Sequence, residues 1–244
     1  MRLSLALMTA LCSMLLVSSA SAGEIFLEAN FNDKTIDAPI GTGGPTVGEP
    51  VLIDLGPAGA VVRDAPMPTP CLQIVDESDY YAQSVRFEFL GDAEIASGPV
   101  VIRADLWIPA QESSGFSLGV RERETSAGTF LTLYFAGGDI SATDAHGYLG
   151  VVGVYATDQV TSVRIAFDMT AGTYDLSIDG LQVVNDEPHG VVGVGIGAVL
   201  FGYLNDAEVG DTYFIDQIYV GDADPTPAEI STWGAVKTQF LGTE

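Results

Sequence analysis

Between Val101 and Ile108 the positions Val101, Arg103, Asp105 and Trp107 alternate with Ile102, Ala104, Leu106 and Ile108. Period-two alternation sends the aliphatic set into a core and leaves the other set toward water. A flat indole beside a cation and an acid can stack on a pyranose and hydrogen-bond its hydroxyls. Arg103, Asp105 and Trp107 are therefore candidate ligand-binding residues. The pattern equally fits a Trp107 covered by a loop or tail, with Arg103 and Asp105 an ordinary surface pair. Asp216 is the second residue of interest, because alternation places it on one strand face with Phe214, Ile218 and Val220. A carboxylate buried in this way is costly unless it is paired, hydrogen-bonded or metal-bound. Bonds from the backbone N–H groups of a neighbouring loop would satisfy it as well.

Other constellations point away from chemistry. Gly115-Phe116-Ser117-Leu118-Gly119 matches the serine-hydrolase pattern, but that motif needs a strand, a sharp elbow and a helix. Here Phe116, Leu118 and Val120 alternate straight into Arg121-Glu122, as in one continuous strand. Gly193-Val194-Gly195-Ile196-Gly197-Ala198 mimics a dinucleotide loop without a following helix, so glycines that admit close packing in a sheet explain it better. The acids of Glu122-Arg123-Glu124 sit two apart, as solvated charge at a strand end paired with Arg121 or Arg123. Two histidines, His146 and His189, and one cysteine outside the N-terminal segment, Cys71, offer no zinc-ligand spacing. Cys71 reads as a buried small hydrophobe or, alternatively, as half of an intermolecular bridge.

The elements that must position these residues are strands. Val85, Phe87 and Phe89 alternate with Arg86 and Glu88, and Val163, Ile165 and Phe167 alternate with Arg164, Ala166 and Asp168. Tyr174, Leu176 and Ile178 follow, and Asp179-Gly180 predicts a tight hairpin turn into Leu181–Val184. Further strands are predicted at 24–30, 51–55, 72–75, 100–108, 116–122, 129–136, 149–155, 191–201 and 213–220. About a dozen strands with hardly a helix imply an all-β fold of two antiparallel sheets packed face to face.

Composition bounds what the fold can do. The chain of 244 residues carries 33 Asp+Glu against 9 Lys+Arg, a formal charge of −24. That surface repels nucleic acid and anionic membrane, so neither is expected as a partner. Arg2, the apolar run 3–17 and the small residues Ala20 and Ala22 predict a signal peptide over 1–22, and hence a secreted or periplasmic protein. No second apolar run is long enough to span a bilayer. After a sandwich over 23–221 comes a tail, 222–244. It consists of a stiff Asp222-Ala223-Asp224-Pro225-Thr226-Pro227 linker and a short amphipathic helix with Ile230, Trp233, Val236 and Phe240 on one side. Such a helix either folds back on the sandwich or docks on a partner.

The stretch from Val163 to Gly180, a strand ending in Asp168, a short turn, Tyr174, an alternating strand and Asp179-Gly180, resembles the concanavalin A-like lectin/glucanase superfamily. Phe31-Asn32-Asp33 after the first strand and Tyr213–Val220 as the last are similar too. The resemblance implies a jelly-roll sandwich. Its leading functional implication is a secreted, non-catalytic carbohydrate-binding (lectin-like) module whose partner is a glycan or extracellular polysaccharide. It also implies first and last strands side by side, where Glu28, Asp33 and Asp216 would offer hard oxygen ligands to a structural Ca2+. Two alternatives accompany it. A structural or adhesive surface module would have no groove. A polysaccharide hydrolase or lyase would bring two or three carboxylates together in a cleft, although the superfamily's Glu-x-Asp-x-x-Glu string does not occur.

Overall fold

The computed structural model describes residues 23–40, 45–56, 58–77, 83–110, 115–123, 128–203 and 208–225. The predicted signal segment and the predicted tail helix lie outside them. Fifteen strands run in chain order: β1 (Ile25–Ala29), β2 (Glu49–Ile53), β3 (Ala60–Arg63), β4 (Cys71–Val75), β5 (Ser84–Glu88), β6 (Pro99–Trp107), β7 (Phe116–Arg121) and β8 (Thr129–Ala136). They continue with β9 (Asp139–Asp144), β10 (Gly147–Val154), β11 (Val160–Asp168), β12 (Thr173–Ile178), β13 (Leu181–Pro188), β14 (Ala198–Tyr203) and β15 (Thr212–Gly221). Leu90–Asp92 forms a three-residue 3-10 turn, and among the described residues no helix is long and apolar enough to cross a membrane.

The strands form two antiparallel sheets. One has the order β13-β12-β11-β6-β15-β4-β3, with β1 also paired to β15, and the other has the order β10-β9-β8-β7-β14-β5-β2. The core lies between them because each strand turns its apolar set inward. In β6 the inward set is Val100, Ile102, Ala104 and Leu106, all buried, while Arg103, Asp105 and Trp107 lie half-buried on the outer face. The rings of Phe116 and Phe135 stack at 4.7 Å, and Tyr213 of the other sheet stacks on Phe116 at 4.2 Å. Aromatic stacking thus ties the two layers directly together.

Local features follow the residue types. Asp179 and Gly180 both take positive φ, 50° and 78°, and turn β12 back into β13 as that dipeptide predicts. Ser117 is buried within β7 and donates to the Gly202 carbonyl at 3.3 Å, so no nucleophile elbow exists there. Of the glycine run, Gly195 and Gly197 pack closely and Gly193 has open space around it, and β14 begins only at Ala198. A Cβ on Gly195 would stand 2.8 Å from the backbone of Ile95. Cys71 is a buried free thiol whose Sγ points to the Ala65 carbonyl at 3.7 Å. Burial, with a smaller push from the Asp216 and Asp64 carboxylates, raises its pKa to about 11.

Candidate functional site

Strand register decides which outward side chains meet. β6 and β11 are partners through nine residue pairs, with Arg103 opposite Arg164 and Asp105 opposite Ser162. On the other side of β6, Tyr219 of β15 stands opposite Arg103 and Asp216 opposite Asp105, and Glu28 of β1 stands opposite Tyr219. Two rows therefore cross the outer face of the larger sheet. One holds Glu28, Tyr219, Arg103 and Arg164, and the other holds Asp216, Asp105 and Ser162. Over them opens a cleft of about 390 Å3 whose lining includes Glu28, Asn30, Arg103, Asp105, Ser162, Arg164, Gln217, Tyr219 and Pro225.

A bulge in β15 builds the cleft's floor. The register with β6 shifts between Asp216 and Tyr219, and Gln217 sits at φ 52°. The extra residue reverses the alternation. Tyr213 and Ile215 point inward before it, Ile218 and Val220 after it, and Phe214, Asp216 and Tyr219 lie on the outer face. This corrects the expected grouping of Asp216 with Ile218 and Val220. Asp216 is 1% exposed because Thr69, from the segment before β4, covers it and donates its hydroxyl to Oδ2. Gln217 Nε2 donates to the same oxygen at 3.2 Å, and Oδ1 has no partner. Desolvation raises the Asp216 pKa to about 6 despite these bonds.

Asp105 is held differently. Ser162 Oγ donates to it at 2.6 Å, while desolvation, the larger effect, moves its pKa upward. Arg103 and Arg164 are joined through Asp224. Arg103 Nε and Nη2 donate to its Oδ1 at 3.0 and 2.7 Å, and Arg164 donates from Nε to Oδ1 at 3.0 Å and from Nη2 to Oδ2 at 2.7 Å. The bonds from Arg164, then those from Arg103, hold the Asp224 carboxyl below the usual range. Tyr219 donates its hydroxyl to the Ala223 carbonyl at 3.0 Å, which brings the linker across the cleft's edge.

The structure thus brings Arg103 and Asp105 together in the cleft and leaves Trp107 outside its lining, farther along β6 opposite Phe214 and Val160. The residues Glu28, Asp33 and Asp216 are not gathered. Glu28 lines the cleft, Asp33 bonds Lys34 at 3.0 Å on the surface, and Asp216 is enclosed beneath Thr69. Among the described residues no group of three or more His, Cys, Asp or Glu side chains is placed to hold a metal ion. Sequence reasoning missed Ser162, Arg164, Gln217, Tyr219 and Asp224. Arg164 carried a signal, a cation on the wet side of an alternating strand, but its partner 61 residues away emerges only from the register.

No protein-family model matches the chain, and no curated protein matches it. Solved structures do. The catalytic domain of a glycoside hydrolase family 131 protein from Coprinopsis cinerea is similar over 84% of this chain and 97% of that one, with a TM-score of 0.60 and 13% identity. The receptor-binding domain of botulinum neurotoxin C/D mosaic serotype is similar over 89% of this chain and 52% of that one, with a TM-score of 0.57 and 13% identity. A sialidase is similar over 85% of this chain and 21% of that one, with a TM-score of 0.52 and 13% identity. The chain accordingly spans about a fifth of the sialidase and about half of the neurotoxin domain. What is shared at such identities is architecture. The two antiparallel sheets and these likenesses show the fold, a jelly-roll sandwich whose layers fit a concanavalin A-like fold.

Proposed function

We propose that the chain is a secreted, non-catalytic carbohydrate-binding module whose glycan enters the cleft on the outer face of the larger sheet. The observation that carries this reading is the pair of polar rows under one cavity of about 390 Å3. A sugar ring presents hydroxyls that both donate and accept, and it needs both kinds of partner along its rim. Arg103 and Arg164 donate, Asp105 accepts, Ser162 and Gln217 do both, and Tyr219 adds an aromatic ring. A purely structural module needs no such concavity. Export fits this reading through the N-terminal segment 1–22.

The test is a glycan array followed by calorimetric titration of the retained glycan. Asp105→Ala, which removes a partly desolvated acceptor, is expected to weaken binding about tenfold or more. Trp107→Ala is expected to leave binding within about twofold, because the indole lies outside the cleft. Retention of no glycan, or an unaltered Asp105→Ala, overturns the reading. One observation favours a second reading, a glycoside hydrolase: Glu28 and Asp105 line the same cleft. Their strands are separated by β15 and their rungs lie two residues apart, so the backbones stand roughly 12 Å from each other. Release of reducing ends from the retained glycan, lost in Asp105→Asn, would decide for that reading.

A further inference from the structure

Arg103 and Arg164 face each other directly on adjacent strands. Like charges in that position repel, and sheet stability disfavours them. The sequence has 33 acidic residues and only 9 Lys+Arg, so an acidic cross-strand neighbour would have been the readily available choice. The fold instead sets two guanidinium forks side by side, in the geometry that grips one carboxylate from both sides. The anion between them is Asp224, three residues beyond the end of β15 and part of no strand.

We infer that the Arg103–Arg164 pair is a carboxylate subsite of the cleft, that its ligand is a glycan carrying a single uronic acid, and that Asp224 is an internal stand-in which this ligand displaces. The inference rests on the carbohydrate reading and deepens it. The clamp is built for exchange. Side chains of Arg103, Arg164 and Asp224 are 36%, 33% and 42% exposed, so solvent screens the contact and it holds the fold together only weakly. Its retention comes from tethering, since Asp222 is anchored just before it through the Glu24 N–H at 2.9 Å.

Beside the fork lies what a sugar requires. Asp105 and Ser162 sit two residues along their strands from Arg103 and Arg164, roughly 7 Å away and close to the span of one pyranose ring. A uronate would place its carboxylate on the arginines and its ring hydroxyls on Asp105 and Ser162. An acidic peptide would fill the fork and leave those two partners unused. The chain's charge of −24 disfavours a long polyanion, whereas one carboxylate at contact distance is governed by the fork rather than by the distant field.

The experiment titrates the full chain and Asp224→Ala with methyl glucuronide, methyl glucoside and the blocked peptide Asp-Ala-Asp-Pro. Removing the tethered competitor raises the fraction of open sites, so Asp224→Ala is expected to bind the glucuronide about tenfold tighter than the wild-type chain. The glucoside, which has no carboxylate to take Asp224's place on the arginines, is expected to gain about twofold at most. Adding Arg164→Gln to Asp224→Ala is expected to abolish the gain while circular dichroism stays that of the parent. Equal gains for glucoside and glucuronide, or no gain for either, would overturn the carboxylate subsite and leave the glycan-binding reading standing. Tighter binding of the peptide than of the glucuronide would also overturn it, in favour of a peptide ligand. Failure of every form to bind either sugar would take both readings down together.

Discussion

Asp216 shows how a single carboxyl can be trapped by an irregularity rather than by the core. The bulge turns it outward, Thr69 then seals it, and one oxygen is left with no hydrogen-bond partner. In an unfolded chain an aspartate titrates near pH 4. In the fold Asp216 titrates near 6 because burial penalises its charge. Between those values the folded form holds the extra proton, so folding stability falls as pH rises from about 4 to about 6 and stays lower above that. Asp216→Asn keeps an acceptor for Thr69 and removes the charge. Denaturant unfolding is expected to find it more stable than wild type at pH 7, by about 2 to 3 kcal/mol. At pH 4 the difference should shrink. A variant weaker than wild type at pH 7 would mean that the ionised carboxylate contributes a stabilising contact.

At the scale of the strand, two glycines make opposite demands. Gly195 lies where its backbone passes Ile95, whose N and C atoms would stand 2.8 Å from any added Cβ. Gly119, in the middle of β7, would place the same methyl 3.8 Å from Leu200, an ordinary contact. Thermal unfolding is expected to show Gly195→Ala destabilised by about 1 to 3 kcal/mol and Gly119→Ala equal to or more stable than wild type. The same contrast marks what alternation can reveal. The inward and outward sets of β6, β11 and β12 were readable because aliphatic and charged residues alternate there without interruption. β3 was missed because Ala60, Val61 and Val62 are buried in succession and do not alternate, and β9 because its inward positions Ile140, Ala142 and Asp144 become progressively less apolar. The two sides of β15 were misassigned after Asp216, since a bulge adds one residue without leaving a mark on composition. Of the cleft's lining, Arg103 and Asp105 were named from the sequence as ligand-binding candidates and Glu28 as a metal ligand. The rest depends on which strands lie side by side, and a single strand's residues carry no record of that.

For the whole molecule, charge is the dominant long-range fact. A formal charge of −24 makes the folded chain repel itself, and added salt shortens that repulsion to within a few ångströms. Salt would also weaken ion pairs, but the exposed ones, such as Arg63–Asp37 and Arg103–Asp224, contribute little. Raising sodium chloride from dilute buffer to about 0.5 M is therefore expected to raise Tm by about 2–4 °C in a thermal scan. A fall would show that the arginine–carboxylate contacts outweigh the net repulsion.

The antiparallel pairing of β1 with β15 has a mechanical consequence. Ile25 lies opposite Gly221, so the start of β1 and the end of β15 meet at the same end of the seam. A load applied between residue 23 and residue 225 would peel this seam open one rung at a time, instead of shearing all its rungs at once. If the protein is ever pulled between its ends, as an anchor would be, it should yield first at that zipper, and the clamped aspartate beside the seam would be carried away from its arginines as the zipper opens.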